Sequence, residues 1–192
     1  MEQDNFSPEQ SLKVIQSMIE KAKHNLAEDS FYLLLWGWLV LVSALAEYVL
    51  MVMVKYEQHY LVWNLMWVGA IVSIIYAIKK GKKARVKTQL GETMKFVGIG
   101  TGITFTVFSF IVGAYEMWQH AFPFYFAVYG LITFISGRIL DYLPLRIGGG
   151  VCWVIAVAAV FAGFDIQLLL MALAVIASYL VPGYLLKNSR NI

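Results

Sequence analysis

The stretch "LLLWGWLVLVSALAEYVLMVMV", Leu33 to Val54, decides the fold. A helix that crosses a bilayer needs about 20 mostly apolar residues at about 1.5 Å rise each, and this run has that length and character. It also contains a carboxyl group, Glu47. A charged side chain near the bilayer centre costs about 2.5 to 3.5 kcal/mol on insertion scales and almost always faces the protein interior or a wet cavity. The run is therefore read as a span whose Glu47 side points into a bundle.

The rest of the chain agrees with that reading. Of 192 residues, 60% are hydrophobic and only 14% charged, and the mean hydropathy is +0.68, far from the balance of a soluble domain. The sequence predicts an all-α integral membrane protein with six transmembrane helices, at about 31–54, 60–78, 96–118, 121–140, 147–163 and 166–186. A cytoplasmic segment (1–30) precedes this six-helix bundle (31–186) and a short tail (187–192) follows it. The first 30 residues are polar and the first apolar run is too long for a signal-peptide core, so that run is expected to remain in the mature protein. The lone cysteine, Cys152, allows neither an internal disulfide nor a cysteine-based metal site.

Orientation follows from Lys and Arg, which accumulate in cytoplasmic loops. Lys13, Lys21 and Lys23 precede span one. The loop after span two holds Lys79, Lys80, Lys82, Lys83, Arg85 and Lys87, with Lys95 beyond it. Arg138 and Arg146 flank the turn between spans four and five, and Lys187 and Arg190 end the chain. Of the 15 basic residues, only Lys55 falls on the other side. Both termini are accordingly expected in the cytoplasm, in a cell membrane of the prokaryotic inner-membrane kind. The run Lys79 to Lys87 is first a topology signal. Its second role is contact with anionic lipid, at about 1 kcal/mol per basic residue near the surface. Without interleaved aromatics, and next to a bilayer, it is not a nucleic-acid patch.

Residues 8–28 have a start signal, with Ser7 as N-cap, Pro8 at the first helical position and Gln10 three residues after the cap. Leu12, Ile15, Met18, Ile19, Ala22 and Leu26 then share one stripe of an amphipathic helix. Its acids and lysines balance, so its apolar face must provide the grip, either along the inner membrane surface or folded under its own bundle, or in the groove of a cytoplasmic protein partner.

Inside the spans, Gly149, Cys152, Ala156, Ala159 and Gly163 recur at three and four residue steps, a small-residue face against which another helix can press. Gly98 and Gly102 form a similar pair, and Ala127, Gly130 and Gly137 line part of span four. "GIGTG" lacks the spacing of a phosphate-binding loop and is read as packing. Three acids near the ends of odd spans, Glu47, Glu116 and Asp165, hint at a repeat, but their depths and neighbours differ.

Few residues are left for chemistry. Glu47 lies about 10 Å below the outer interface, counted from Val54, and Asn64 about 6 Å below it, counted from Tyr60. Ser43 lies one turn from Glu47. With Ser109, Tyr125 and Tyr129 at overlapping depths, these residues form a candidate intramembrane polar pocket. Glu47 there is either an interhelical hydrogen-bond staple or the lining of a site for a proton, a cation or a small amphipathic ligand. Glu116, His120 and His59 can be imagined as a zinc set, but three histidines in the whole chain argue against a metal, and no cofactor is expected. Arg138 and Asp141 read as an interfacial ion pair. The tryptophans Trp36, Trp38, Trp63, Trp67, Trp118 and Trp153 read mostly as interfacial anchors. Neither a Gly-x-Ser-x-Gly elbow nor a His-Glu-x-x-His pair occurs, so catalysis is disfavoured. The leading expectation is a multi-pass protein that acts by binding, as a sensor or assembly component, with lipids as its first partners and oligomers allowed. The alternative is a small transporter or channel using Glu47.

Overall fold

A computed structural model describes residues 30–83 and 89–188, with side chains for 30–79 and 91–188. The amphipathic segment 8–28, Arg85 and Lys87, and the side chains of Lys80, Lys82 and Lys83 lie outside that description. Lys79 is exposed.

The described chain is helical throughout, without strands. The helices are α1 (Ser30–Val54), α2 (Leu65–Lys83), α3 (Gln89–Ala114), α4 (Ala121–Ile139), α5 (Leu143–Ala159) and α6 (Phe164–Asn188). Short 3-10 turns, His59–Asn64 and Trp118–His120, lead into α2 and α4. Five helical stretches are long and apolar enough to cross a membrane: Ser30–Val54, His59–Lys79, Gly91–Ala114, Trp118–Ile139 and Phe164–Asn188. The fifth predicted span is the exception, because α5 has 17 residues.

Helix α5 also begins four residues before its expected start at 147. Tyr142 enters it in extended conformation and Pro144 occupies its first turn, where the missing N–H breaks no helical bond. Arg146 is polar but lies inside the helix, since backbone hydrogen bonding does not require an apolar side chain. The helix stops at Ala159 in a run of i to i−3 bonds at Val160, Phe161 and Ala162. Gln167, buried on α6, then donates its Nε2 to Ala159 O at 3.2 Å and Ala162 O at 2.9 Å, capping the end of α5.

Helix α5 is sandwiched between α4 and α6. A Cβ on Gly149 would lie 2.7 Å from Gly130 O and from Phe134 N, and one on Gly148 would lie 2.8 Å from Ser178 Cα. Backbones meet at these points because side chains are absent. The predicted small-residue face is largely real: Gly149, Cys152, Ala156 and Ala159 are buried. Gly163 is exposed and serves instead as the N-cap of α6. Helix α1 lies antiparallel to α6, with Gly37 against Leu180, Gly183 against Leu33 and Leu34, and Trp38 Nε1 donating to Tyr184 OH at 3.1 Å.

Helices α2 and α3 are peripheral. Helix α2 leans on α1 through Gly69 against Leu39 and a stacked Phe31–Tyr76 pair 4.1 Å apart. In the apolar windows of α2 and α3 only 6% of residues are buried, against 33% in α1 and α4 and 50% in α6. Among the described residues the Gly98 and Gly102 face has no neighbour, since a Cβ at either glycine would meet nothing within 4 Å.

Candidate functional site at the turn between helices one and two

The last turns of α1, Val49–Val54, are π-helical and end at Lys55 in left-handed conformation (φ 56°), with Tyr56 N–H returning to Leu50 O at 2.9 Å. This reversal sends the chain back beside α1 after a few residues. The 3-10 turn that follows rises about 2 Å per residue with three residues per turn, so His59 and Trp63 are offset by about a third of a turn and Trp63 lies about 8 Å further along. Both side chains come within hydrogen-bonding reach of the Glu47 carboxyl.

The result is a closed constellation. Glu47 is 2% exposed. Its Oε1 lies 2.9 Å from His59 Nδ1, and its Oε2 accepts from Trp63 Nε1 at 2.6 Å. Ser43, fully buried one turn earlier, directs its Oγ to Val62 O at 3.5 Å. His59 is 24% exposed and faces the outside of this latch. Trp63 also packs on Phe122 of α4, with ring centroids 6.1 Å apart, and Phe122 packs on Phe164 of α6. One carboxyl thus ties α1 to the start of α2, and the indole carries that tie to α4 and α6.

The six residues of the predicted pocket do not converge. Glu47 and Ser43 belong to the latch. Asn64 does not reach them: it is exposed, and its Nδ2 donates to Leu61 O at 3.0 Å. Ser109 of α3 and Tyr125 of α4 share a 2.8 Å hydrogen bond that pins the two helices together. Tyr129 sits edge-on to Tyr179 of α6, with centroids 5.5 Å apart, and against Phe105. His59 and Trp63 are the members that the sequence reading assigned elsewhere, to a metal set and to interfacial anchoring. They follow Glu47 by 12 and 16 residues, across a turn whose geometry apolar periodicity does not give, so the sequence does not mark them as its partners.

Among the described residues no group of three or more His, Cys, Asp or Glu side chains gathers as a metal site would require. Glu116 closes α3 in left-handed conformation (φ 52°), exposed like His120. Two shallow apolar grooves occur on the surface. One, of about 430 Å³, is lined by Phe31, Leu35, Trp38, Val42 and Leu65 among others, and one of about 280 Å³ by Ile103, Thr104, Val107, Phe108 and Ile111. Neither reaches Glu47. Comparisons with protein-family models, curated proteins and solved structures return no match.

Proposed function

We propose that this is a six-span integral membrane protein with both termini in the cytoplasm, and that it works by binding, as a sensor or assembly component. The observation that carries the reading is the occupancy of Glu47. Both its oxygens are taken within the chain, by His59 and Trp63, and the residue is 2% exposed. A carrier needs its intramembrane carboxyl to open onto a path. Here the carboxyl serves the architecture, and the chain offers surfaces instead: α2 and α3, with 6% of their apolar windows buried, have faces that a neighbouring membrane helix can use.

Helix α5 counts as the sixth span. At about 1.5 Å per residue it is about 25 Å long, short of a hydrocarbon core of about 30 Å. Yet it runs antiparallel to α6 along its whole length, meeting Pro182 through Tyr142 at one end and Gln167 at the other. The charge bias supports the same threading. In it the latch faces outward, the basic run from Lys79 to Lys87 meets anionic lipid on the inside, and the amphipathic segment 8–28 is placed to meet a cytoplasmic partner. The membrane is then a cell membrane of the prokaryotic inner-membrane kind.

The second reading is a proton or cation carrier, favoured by one observation: the partly exposed His59 touches the buried carboxyl. Proteoliposomes of the full chain distinguish the two. Under imposed proton, sodium or potassium gradients they should leak no faster than empty vesicles, with Glu47→Gln unchanged. A flux in wild type that Glu47→Gln abolishes would overturn the binding reading and establish the carrier.

A further inference from the structure

At the opposite end of the bundle from the latch, α4 turns into α5 through Leu140, Asp141 and Tyr142. Asp141 takes left-handed conformation (φ 48°) and is 81% exposed. Two guanidinium groups face its Oδ1: Arg138 at 3.6 Å and Arg146 at 3.8 Å. Both separations exceed hydrogen-bonding length, so one loosely held carboxylate stands before two arginines and leaves the corner with one uncompensated positive charge. Arg146 is the better fixed of the two. It is 30% exposed, and it packs over Gly137 so closely that a Cβ there would lie 2.9 Å from its Cγ. Its Nε is buried and has no hydrogen-bond partner. The packing holds this guanidinium in place while the side chain stays partly exposed, so a planar or tetrahedral oxyanion can approach its fork.

Two further features act in the same direction. Helix α5 begins here, and its N-cap Tyr142 offers the first turn no side-chain hydrogen bond, the phenol being spent on Pro182 O at 3.3 Å. The partial positive charge of that helix end adds to the arginines. Below the corner, Leu143, Ile147, Val154 and Val157 are exposed along one face of α5, an apolar lane that begins where the arginines end.

We propose that this corner binds a phosphate group, with Arg138 and Arg146 as its ligands and Asp141 as a carboxylate that gives way. The group is either the headgroup of an anionic phospholipid whose chains lie along the apolar lane, or free phosphate. The proposal rests on membrane insertion of α4 and α5 but not on the role proposed for the protein.

The test uses the full-length detergent-solubilised protein, following thermal unfolding while titrating short-chain phosphatidylglycerol, phosphatidylcholine or inorganic phosphate. Phosphatidylglycerol should raise the midpoint and phosphatidylcholine should not. Each of Arg138→Gln and Arg146→Gln should raise the half-saturating concentration roughly five-fold, and Asp141→Asn should lower it by a similar factor. Arg146→Lys keeps the charge and the packing stem, so it guards against a folding defect and should fall between wild type and Arg146→Gln. Stabilisation by inorganic phosphate alone, lost in the arginine variants, supports the site and assigns it to free phosphate. Titrations that are the same in wild type, Arg138→Gln/Arg146→Gln and Asp141→Asn, or stabilisation by phosphatidylcholine equal to that by phosphatidylglycerol, would overturn the proposal.

Discussion

Replacing Trp63 by Phe should destabilise this protein by more than the loss of ring area accounts for, because it also removes the N–H that the buried Glu47 carboxyl accepts. The Trp63 to Glu47 bond is 2.6 Å long and Glu47 is 2% exposed, so the freed Oε2 has no route to water. A buried acceptor left without its donor costs about 1 to 3 kcal/mol, whereas hydrogen bonds between membrane helices measured by double-mutant cycles average only about 0.6 kcal/mol. The burial of this carboxyl places the expected loss near the upper range, about 2 kcal/mol. Glu47→Met, which keeps the stem and removes both oxygens, should cost about the same, because it strands the indole while the partly exposed His59 turns to water. Cys152 is fully buried and is the only thiol, so its modification by a maleimide reports opening of the bundle. Where reclosing outpaces labelling, the rate follows the opening equilibrium, and about 2 kcal/mol becomes about 30-fold faster labelling. The double variant Glu47→Met/Trp63→Phe should label only slightly faster than either single, since both remove the same bond. Additive effects, or singles within about two-fold of wild type, would refute the latch as a structural tie.

Other substitutions should sort by what the backbone meets. Gly149→Ala places a Cβ 2.7 Å from backbone atoms of α4 and should cost about 1 to 3 kcal/mol, whereas Gly98→Ala, with nothing within 4 Å in the middle of α3, should hold or slightly raise the thermal midpoint. Asn64→Leu should also be near neutral, within about 0.5 kcal/mol, and a loss comparable to that of Trp63→Phe would restore Asn64 to the site. Gln167→Leu removes two bonds to the end of α5, so amide exchange at Val160 to Gly163 should accelerate before global stability falls; unchanged exchange there would argue that water caps the helix equally well. In a cysteine-free background, single cysteines at Lys55 and Lys187 should react with impermeant thiol reagent from opposite sides of a sealed vesicle. Labelling of both from one side would remove α5 or another helix from the count of spans.

Much of the helical layout was legible in the sequence because span length is set by a single physical quantity, the thickness of hydrocarbon to be crossed. The boundaries that moved are those where polarity and backbone geometry part company. Arg146 broke the apolar run but not the helix, and Ala114 ended α3 inside an apolar run because Glu116 took a left-handed conformation there. The burial of Glu47 was legible from its cost in lipid, but its partners were not. Depth counting selected Asn64, but depth does not give direction around the helix: Asn64 turns back to Leu61 O, and its neighbour Trp63 faces the carboxyl. The small-residue faces make the same point in another way. Gly149 and Gly98 sit in equivalent patterns, yet one meets a backbone and the other meets nothing, because a pattern specifies that a helix can be approached closely and not which helix does so.

The fastenings also differ in kind along the bundle, and that difference bears on function. Helices α4, α5 and α6 meet most closely at Gly148 and Gly149, where backbone lies against backbone, and at Gly130, where the Trp153 ring fills the space, contacts that leave little room to slide. Helix α3 is held to α4 by the hydroxyl pair Ser109 and Tyr125 and by ring contacts, and α2 by Gly69, the Phe31–Tyr76 stack and the latch. A force or a partner acting on α2 or α3 thus works against a few side-chain bonds rather than against the core. Of these, the latch joins the start of α2 to α1 and, through Trp63 and Phe122, to α4 and α6, beside the apolar contact that Met66 of α2 makes with the same core. A pull on α2 is therefore passed into the bundle through the Glu47 carboxyl as well as through apolar packing, which gives a buried carboxyl a structural use.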